Sequence, residues 1–389
     1  MAKCTAADTP PPKSSFAPQK TGSGFKLGWA VLFLTPLFLG LASGTAAQTR
    51  SITDEAGRRL TIPETVDKVI CSGSGCLRLL TYLGAQDRIV AVDGIEVRGS
   101  PIDVRPYAIA NQQFREYPIF GEFRGRDNPE LIAALNPQPQ VIFKTLSGQT
   151  HSLDILQKKT GIAVIALSGT SLDHDRNKLY ATLRFMADIL GAQRRCEDVI
   201  TYIENTIQDL QKRTENSPAH TSYLGGLGHS GPHGIQSTAP WYPPFAYLGL
   251  PNVAATGTGN NPPAYLNIAK EQLIVWDPQF IFIDLSTLRL GSTGNALEQL
   301  SNDPALRGLG ALKNNNIYGL FPSNSYNQNI EVVLANCYFI GKTVFPESFS
   351  DIEPFQKAEE IATFFNGGPA FEQMNQTLGN IGFSQIKVR

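Results

Sequence analysis

The chain has 389 residues, of which 42% are hydrophobic and 17% charged, and its formal net charge is −1. This hydrophobic content excludes a largely disordered chain, and the small net charge argues against the basic surface with which proteins bind nucleic acid. The length is sufficient for two α/β lobes, and we expect a monomer that binds no nucleic acid.

The first 47 residues have the three parts of a secretory signal peptide. A polar segment with several lysines precedes an uncharged apolar run over residues 27–41, and small residues then extend to Ala47. We expect cleavage after Ala47 and export to the periplasm. The alternative is an uncleaved anchor, because residues 27–47 are nearly long enough to cross a bilayer.

Residues 48–177 are predicted to form an N-terminal α/β lobe. It begins with a hairpin that turns at residues 56–57. Strands are predicted over residues 68–71, 88–92, 140–143 and 162–167, with helices over residues 76–83, 129–135 and 153–159. Strands that alternate with helices favour a parallel sheet covered by helices.

Residues 178–215 are predicted to be helical, with two helices over residues 178–190 and 193–213 that Gly191 separates. The second helix carries an apolar stripe that includes Val199, Ile203 and Leu210, and charged residues lie opposite this stripe. At about 1.5 Å per residue it would be roughly 30 Å long. We therefore expect it to bridge two lobes.

Residues 216–389 repeat the α/β pattern and are predicted to form a C-terminal lobe. Strands are predicted over residues 222–226, 280–283 and 316–321, with helices over residues 243–248, 268–276, 296–300, 304–309, 329–344 and 351–365. The predicted fold class is α/β, with two Rossmann-like lobes whose mainly parallel sheets are joined by a long rigid helix.

Two segments resemble each other weakly, one in each lobe. Residues 129–143 and residues 269–282 both read as a helix, a proline-containing turn and an apolar strand. Glu130 and Glu271 lie near the starts of the two helices. A carboxylate at this position is favoured by the helix dipole, which is one explanation for both residues.

Four cysteines follow the signal peptide: Cys71, Cys76, Cys196 and Cys337. Export permits disulfides, and four cysteines allow three complete pairings between which the sequence does not decide. Cys71 and Cys76 flank a Gly-Ser turn, so they could form a disulfide or remain two small buried thiols.

Several of these segments together resemble the periplasmic binding proteins of ABC importers for iron–siderophore complexes, haem and cobalamin. The similarity covers roughly residues 51–347 and depends on the order and spacing of residues 52–58, 77–92, 312–320 and the two glutamate-containing repeats. The resemblance implies a protein without enzymatic activity that delivers a solute to a permease with a cytoplasmic ATPase. It also implies that Glu130 and Glu271, one on each lobe, pair with arginines of that permease.

Candidate ligand-binding residues lie in the loops after the predicted strands, because open α/β sheets bind ligands beyond the carboxyl ends of their strands. Guanidinium groups bind carboxylates and oxyanions in a bidentate manner, imidazole is a common metal ligand, and aromatic rings offer flat faces to a macrocycle or an aromatic siderophore. For the histidines and the tryptophan–tyrosine pair, loop packing is the alternative. The candidates are Arg105, Tyr107, His229, His233, Trp241, Tyr242, Arg289 and Tyr326.

The sequence does not identify the solute. A metal chelate of the iron–siderophore, haem or cobalamin type is our first expectation, and a molybdate or tungstate oxyanion is the second. We expect the bound solute, and not a cofactor of the protein, to contain the metal. A secreted metal-dependent hydrolase that uses His229, His233 and Asp284 is a weaker alternative, because no third ligand stands at a recognisable spacing.

Overall fold

The computed structural model describes residue 24 and residues 48–388, except residues 101, 147–150, 260–261 and 292–293. The predicted signal peptide, residues 1–47, therefore lies outside the described residues except at position 24. Within the part of the chain that is described, no helix has the length and apolar character needed to cross a membrane.

The described chain begins with the predicted hairpin, in which β1 (Thr49–Thr53) pairs with β2 (Arg59–Pro63) in antiparallel orientation. Asp54 is buried in the turn and organises it. One carboxylate oxygen accepts hydrogen bonds from the backbone N–H groups of Ala56, at 3.1 Å, and Arg58, at 2.9 Å. The other oxygen accepts from the N–H of Ala166, at 3.1 Å, so this carboxylate fastens the hairpin to the first lobe.

The described residues of the first lobe form six more strands and five α-helices. The strands are β3 (Val69–Ser72), β4 (Ile89–Asp93), β5 (Ile119–Glu122), β6 (Arg126–Asp127), β7 (Val141–Thr145) and β8 (Ala163–Leu167). The helices are α1 (Cys76–Tyr82), α2 (Gly94–Arg98), α3 (Pro106–Ala110), α4 (Pro129–Ala133) and α5 (His151–Thr160). The strands form one sheet in the order β6-β5-β4-β3-β7-β8, parallel except at the edge strand β6.

Side chains of this sheet alternate between two buried faces, as the period of a strand requires. Ile70, Phe120 and Ile142 belong to a small core that also contains Leu153 and Leu156 of α5. Their neighbours along the strands face a larger core that continues into the rest of the molecule. Burial on both faces explains why these strands read as nearly continuous apolar runs in the sequence.

Two long helices follow the first lobe, α6 (Asn177–Leu190) and α7 (Gln193–Thr214). Gly191 ends α6 in the left-handed conformation, with φ of 64°. Near the start of α7, Arg195 donates a hydrogen bond of 2.9 Å to the carbonyl of Tyr82 in α1. Near its end, Arg213 forms an ion pair of 2.7 Å with Asp351. The 22-residue helix thus contacts Tyr82 of the first lobe near its start and Asp351 of the second lobe near its end.

The second lobe has a smaller sheet. Its strands are β9 (Ser222–Gly225), β10 (Ser237–Thr238), β11 (Leu266–Asn267), β12 (Phe280–Asp284) and β13 (Ile317–Leu320). Its helices are α8 (Pro243–Tyr247), α9 (Lys270–Trp276), α10 (Ala296–Asn302), α11 (Gly310–Lys313), α12 (Ile330–Val344), α13 (Pro354–Asn366) and α14 (Phe371–Thr377). β13, β12 and β9 form a parallel sheet in that order, and β10 pairs with β11. The predicted α/β fold with mainly parallel sheets is therefore confirmed.

The C-terminal helices also contact the first lobe. Both α13 and α14 pack against α3, and α13 packs against α1. The side-chain amide of Asn111, just after α3, donates a hydrogen bond of 3.1 Å to the carbonyl of Asn366 at the end of α13. The last part of the chain thus helps to hold the two lobes together.

All four cysteines of the described chain are buried and free, so none of the three disulfide pairings is present among them. Cys71 and Cys76 are the two buried thiols that the sequence allowed as an alternative. Burial raises the pKa of the Cys71 thiol well above its ordinary value, and the neighbouring Cys76 raises it further. A thiol with a raised pKa is a poor nucleophile.

Candidate functional site

The carboxyl ends of the parallel strands of the two lobes meet in a common cleft. β4 ends at Asp93 and β12 at Asp284, and the loops that follow them enclose a cavity of about 220 Å³. We call this cavity the arginine compartment, because Arg105, Arg124 and Arg289 line it together with several hydroxyl groups. This is the position at which open α/β sheets bind ligands.

A second cavity of about 280 Å³ adjoins the first. Asn324 and Asn327 line both cavities. We call the second cavity the aromatic compartment, because its walls include Trp241, Tyr242 and Tyr265. The cleft therefore offers two neighbouring spaces with different chemistry.

The wall between the compartments is a segment of the second lobe, residues 324–328, that is bonded to the first lobe. The hydroxyl of Tyr326 donates a hydrogen bond to the carboxylate of Asp93. The side-chain amide of Asn327 donates to the hydroxyl of Thr170, at 2.8 Å. Tyr326 and Asn327 both adopt positive φ values, 53° and 90°, a conformation that is uncommon for non-glycine residues. These contacts join the two lobes to each other.

Arg105 and Tyr107, two of the predicted ligand-binding residues, are joined by Glu96. Both side chains are about 1% exposed. Tyr107 donates a hydrogen bond of 2.8 Å to Glu96 and lines neither compartment. Arg105 lines the arginine compartment, but Glu96 and Asp103 accept hydrogen bonds from its guanidinium at 2.7–2.9 Å. Its charge is already compensated, so Arg105 mainly shapes the wall and Tyr107 supports it from behind.

Arg124 and Arg289 differ from Arg105 because no carboxylate of a described residue pairs with their guanidinium groups. The guanidinium of Arg124 has no hydrogen bond or ion pair with any described residue, although it lies over the ring of Phe123. Arg289 donates one hydrogen bond, of 2.6 Å, to the carbonyl of Ile102 in the first lobe, and no carboxylate of the described residues pairs with it. Two guanidinium groups with unused donors thus face one compartment, one from each lobe.

Buried carboxylates beside the arginine compartment have raised pKa values. Burial raises the pKa of Asp93 and of Asp284 to about 6. Burial also raises the pKa of Glu96 to about 7, despite the opposing effect of Arg105. Mild acidification therefore removes negative charge from the surroundings of the two arginines.

His229 and His233 form a column of rings with Tyr265. The ring of His229 lies 4.1 Å from that of His233 and 4.5 Å from that of Tyr265, with nearly parallel planes. His229 lines the arginine compartment and His233 stands behind it. Burial, followed by the neighbouring His233, lowers the pKa of His229, so its ring is neutral at neutral pH. In the described ranges, no three His, Cys, Asp or Glu side chains are grouped so as to hold a metal ion, a set formed by His229, His233 and Asp284 included.

Trp241 and Tyr242 both line the aromatic compartment, and Tyr326 lines the arginine compartment. The ring of Trp241 makes edge contacts with His174, at 5.8 Å, and with Tyr247, at 6.3 Å. Tyr242 is 4% exposed and its hydroxyl receives a hydrogen bond from Asn336. Trp241 and Tyr242 thus both pack against neighbouring side chains and also line the cleft.

Glu130 and Glu271 lie on the outer surface. Each is exposed in the first turn of a short helix, α4 or α9. Neither carboxylate has a hydrogen bond or ion pair with a described residue. An apolar side chain is exposed close to each, Leu131 at 44% and Val275 at 78%.

Sequence reasoning missed Arg124, Tyr265 and Asn327. Arg124 follows β5, a strand that was not predicted because Ile119 and Phe120 are its only large apolar residues. The rule that site residues follow strands would have found Arg124 once β5 was recognised. No signal in the sequence identifies Tyr265, because its position in the cleft depends on the path of a long loop.

Known proteins share this fold. The model of a family described as periplasmic binding protein matches residues 69–323. The chain is similar in structure to the molybdate-binding protein MolA of Haemophilus influenzae, bound to molybdate, with 17% identity and a TM-score of 0.61 over 82% of this chain and 98% of that one.

Two further structural neighbours bind other solutes. One is CeuE of Helicobacter pylori in a nickel–histidine complex, with 16% identity and a TM-score of 0.55 over 85% of this chain and 98% of that one. The other is the periplasmic haem-binding protein HutB of Vibrio cholerae, with 18% identity and a TM-score of 0.54 over 72% of this chain and 99% of that one. A comparison with curated protein sequences gave no match. At these identities the likeness establishes the fold.

Proposed function

Since the chain belongs to the periplasmic binding protein family, we propose that it captures an anionic, metal-bearing solute and delivers it to an ABC importer. The observation that carries the proposal is the pair Arg124 and Arg289, which face one compartment from opposite lobes and have no carboxylate partner among the described residues. A guanidinium group presents a rigid fork of donors that matches a carboxylate or an oxyanion. Because both forks already face the same compartment, one solute can bond to both of them.

An acidic metal chelate is the solute that the cleft favours. The two adjoining compartments, of about 220 and 280 Å³, together fall in the range of roughly 300–1,000 Å³ that small organic ligands occupy. A chelate of the siderophore, haem or cobalamin type has an organic part that could extend beyond the arginines. The neutral ring of His229 in the same compartment can donate or accept one further hydrogen bond.

A bare oxyanion such as molybdate or tungstate is the second candidate. The arginine compartment taken alone favours it, because Ser74, Ser100 and Ser286 offer hydroxyl groups beside the arginines. The similarity to a molybdate-bound protein points in the same direction. Under this alternative the aromatic compartment would take no part in binding.

Calorimetric titration tests the proposal and separates the two candidates. The probes are gallium citrate, an anionic chelate, and sodium molybdate, a bare oxyanion. We expect gallium citrate to bind with a dissociation constant in the micromolar range or below. Tight binding of molybdate alone would support the second candidate, and absence of binding by both would contradict capture of an anionic metal-bearing solute.

Glu130 and Glu271 are proposed to dock the loaded protein on the permease. Both carboxylates are exposed and have no ion pair within the described part of the chain, so they can meet arginines of a partner without first breaking one. Charge reversal, Glu130→Lys or Glu271→Lys, should reduce uptake of the solute at least tenfold and leave its affinity unchanged. The matched controls Glu116→Lys and Glu347→Lys reverse exposed carboxylates elsewhere on the chain. Equal uptake by all four variants would exclude this docking role.

A further inference from the structure

The aromatic compartment has the features of a preorganised ring-binding site. The rings of Trp241 and Tyr265 both line it, and no ring contact joins the two. One face of Tyr265 is stacked on His229, and Asn324 bonds its hydroxyl at 3.3 Å. Since these contacts fix the ring, little conformational entropy remains to be lost when a ligand packs against it.

Trp241 is fixed in a similar way. Its ring is held by edge contacts with His174 and Tyr247, while its indole N–H makes no hydrogen bond to any described residue. A ligand in the compartment can therefore use both an aromatic face and a free donor. Offset or edge-to-face packing of two rings stabilises a complex by about 0.5–1.5 kcal/mol beyond the area buried.

The charge of this compartment differs from that of its neighbour. None of the described residues that line it is an arginine or a lysine, and Asp173 is the one carboxylate in its lining. An anionic centre therefore belongs in the arginine compartment, and an uncharged planar group fits here. Ser171 and His174 come from the first lobe, whereas Trp241 and Tyr265 come from the second, so a bound ring would contact both lobes.

We propose that the aromatic compartment is a subsite for a planar aromatic ring of the solute whose anionic metal centre occupies the arginine compartment. The inference rests on the proposed function and adds the chemical class of the chelator. Asn324 and Asn327 line both cavities, so a chelate that lies against these two residues reaches both spaces at once. Trp241 and Tyr265 then distinguish an aromatic chelator from an aliphatic one.

Fluorescence and calorimetry on the intact protein test this subsite. The probes are the gallium complex of 2,3-dihydroxybenzoate, which carries aromatic rings, and gallium citrate, which carries none. Gallium replaces iron because it is diamagnetic and redox-inert, so the metal itself does not quench tryptophan emission. In a Trp276→Phe variant, whose remaining described tryptophan is Trp241, we expect the aromatic complex to change the emission and the citrate complex to leave it unchanged. A Trp241→Phe variant should lose the response.

Affinity gives the second readout. Trp241→Ala should weaken the aromatic complex about tenfold and change the citrate affinity less than twofold. Tyr265→Ala should also weaken binding of the aromatic complex. Because Tyr265 is 42% exposed, the fold tolerates this substitution even if it does not tolerate Trp241→Ala. If the aromatic complex binds without changing the emission or losing affinity in these variants, the subsite is wrong while the proposed function stands. The same conclusion follows if citrate binds and the aromatic complex does not. If neither complex binds, the subsite is wrong, and the proposed function falls with it only if molybdate also fails to bind.

Discussion

Removal of the Arg124 guanidinium should weaken the capture of anionic solutes without disturbing the fold. Two unit charges about 4 Å apart interact by roughly 4 kcal/mol at the effective dielectric constant of a protein surface, before the cost of removing water. A hydrogen bond to a charged group retains about 1.5–3 kcal/mol of this in net terms. Arg124 is exposed and its guanidinium has no competing partner among the described residues, so Arg124→Ala should raise the dissociation constant of gallium citrate roughly 10- to 100-fold.

The structure offers clean controls for this change. The backbone N–H of Arg124 donates to the hydroxyl of Tyr326, at 2.8 Å, and a side-chain substitution leaves that bond between the lobes in place. Arg124→Lys keeps the charge and loses the fork, so its affinity should lie between those of the wild type and the alanine variant. Arg115→Ala removes an exposed arginine of the same lobe that lines neither compartment. Calorimetry in which Arg124→Ala and Arg115→Ala bind equally, both within twofold of the wild type, would refute the role of Arg124.

Three further predictions concern charge and hydrogen bonding. Because burial raises the pKa of Asp93 and of Asp284 to about 6, lowering the pH from 8 to 5.5 protonates most of both carboxylates, and the affinity for molybdate should rise about tenfold. Calorimetry at several pH values checks this, and a fall in affinity would contradict it. Tyr326→Phe leaves one carboxylate oxygen of the buried Asp93 without its donor and the backbone N–H of Arg124 without its acceptor, so it should lower the free energy of unfolding by about 1–3 kcal/mol in urea titrations. An unchanged midpoint would show that this contact between the lobes does not stabilise the fold. Asp54→Ala removes the acceptor of three backbone N–H groups and should lower the free energy of unfolding by about 3–5 kcal/mol in the same titrations. A decrease of less than about 1 kcal/mol would contradict this.

The strands and helices with strong apolar periodicity could be predicted from the sequence. Strands such as β7 and β12 are buried on both faces and therefore appear as short apolar runs, and Gly191 marks the end of α6. Short elements escaped prediction, among them β5 and α3. In β5 only Ile119 and Phe120 are large and apolar, so its strand character depends on pairing with β4 and not on its own pattern.

The candidate site was predictable in position but not in detail. Loops after strands could be assigned to the cleft from the order of the elements, and two residues of these loops, His229 and Arg289, line the arginine compartment. The direction of each side chain could not be assigned, because it depends on contacts far away in the sequence. The side chain of Tyr107 points into the protein because α3 packs beside Glu96. The guanidinium of Arg105 already donates hydrogen bonds to two carboxylates, and no spacing rule in the sequence connects them to it.

The central claim is that the cleft captures an anionic, metal-bearing solute. The most direct test is native mass spectrometry, with elemental analysis, of the protein purified from its own periplasm. The account predicts one bound species per chain, an acidic organic molecule together with a metal such as iron or cobalt. Molybdenum or tungsten without an organic mass would select the oxyanion alternative. A metal-free neutral solute, or stoichiometric zinc held by the protein with no solute, would contradict the account.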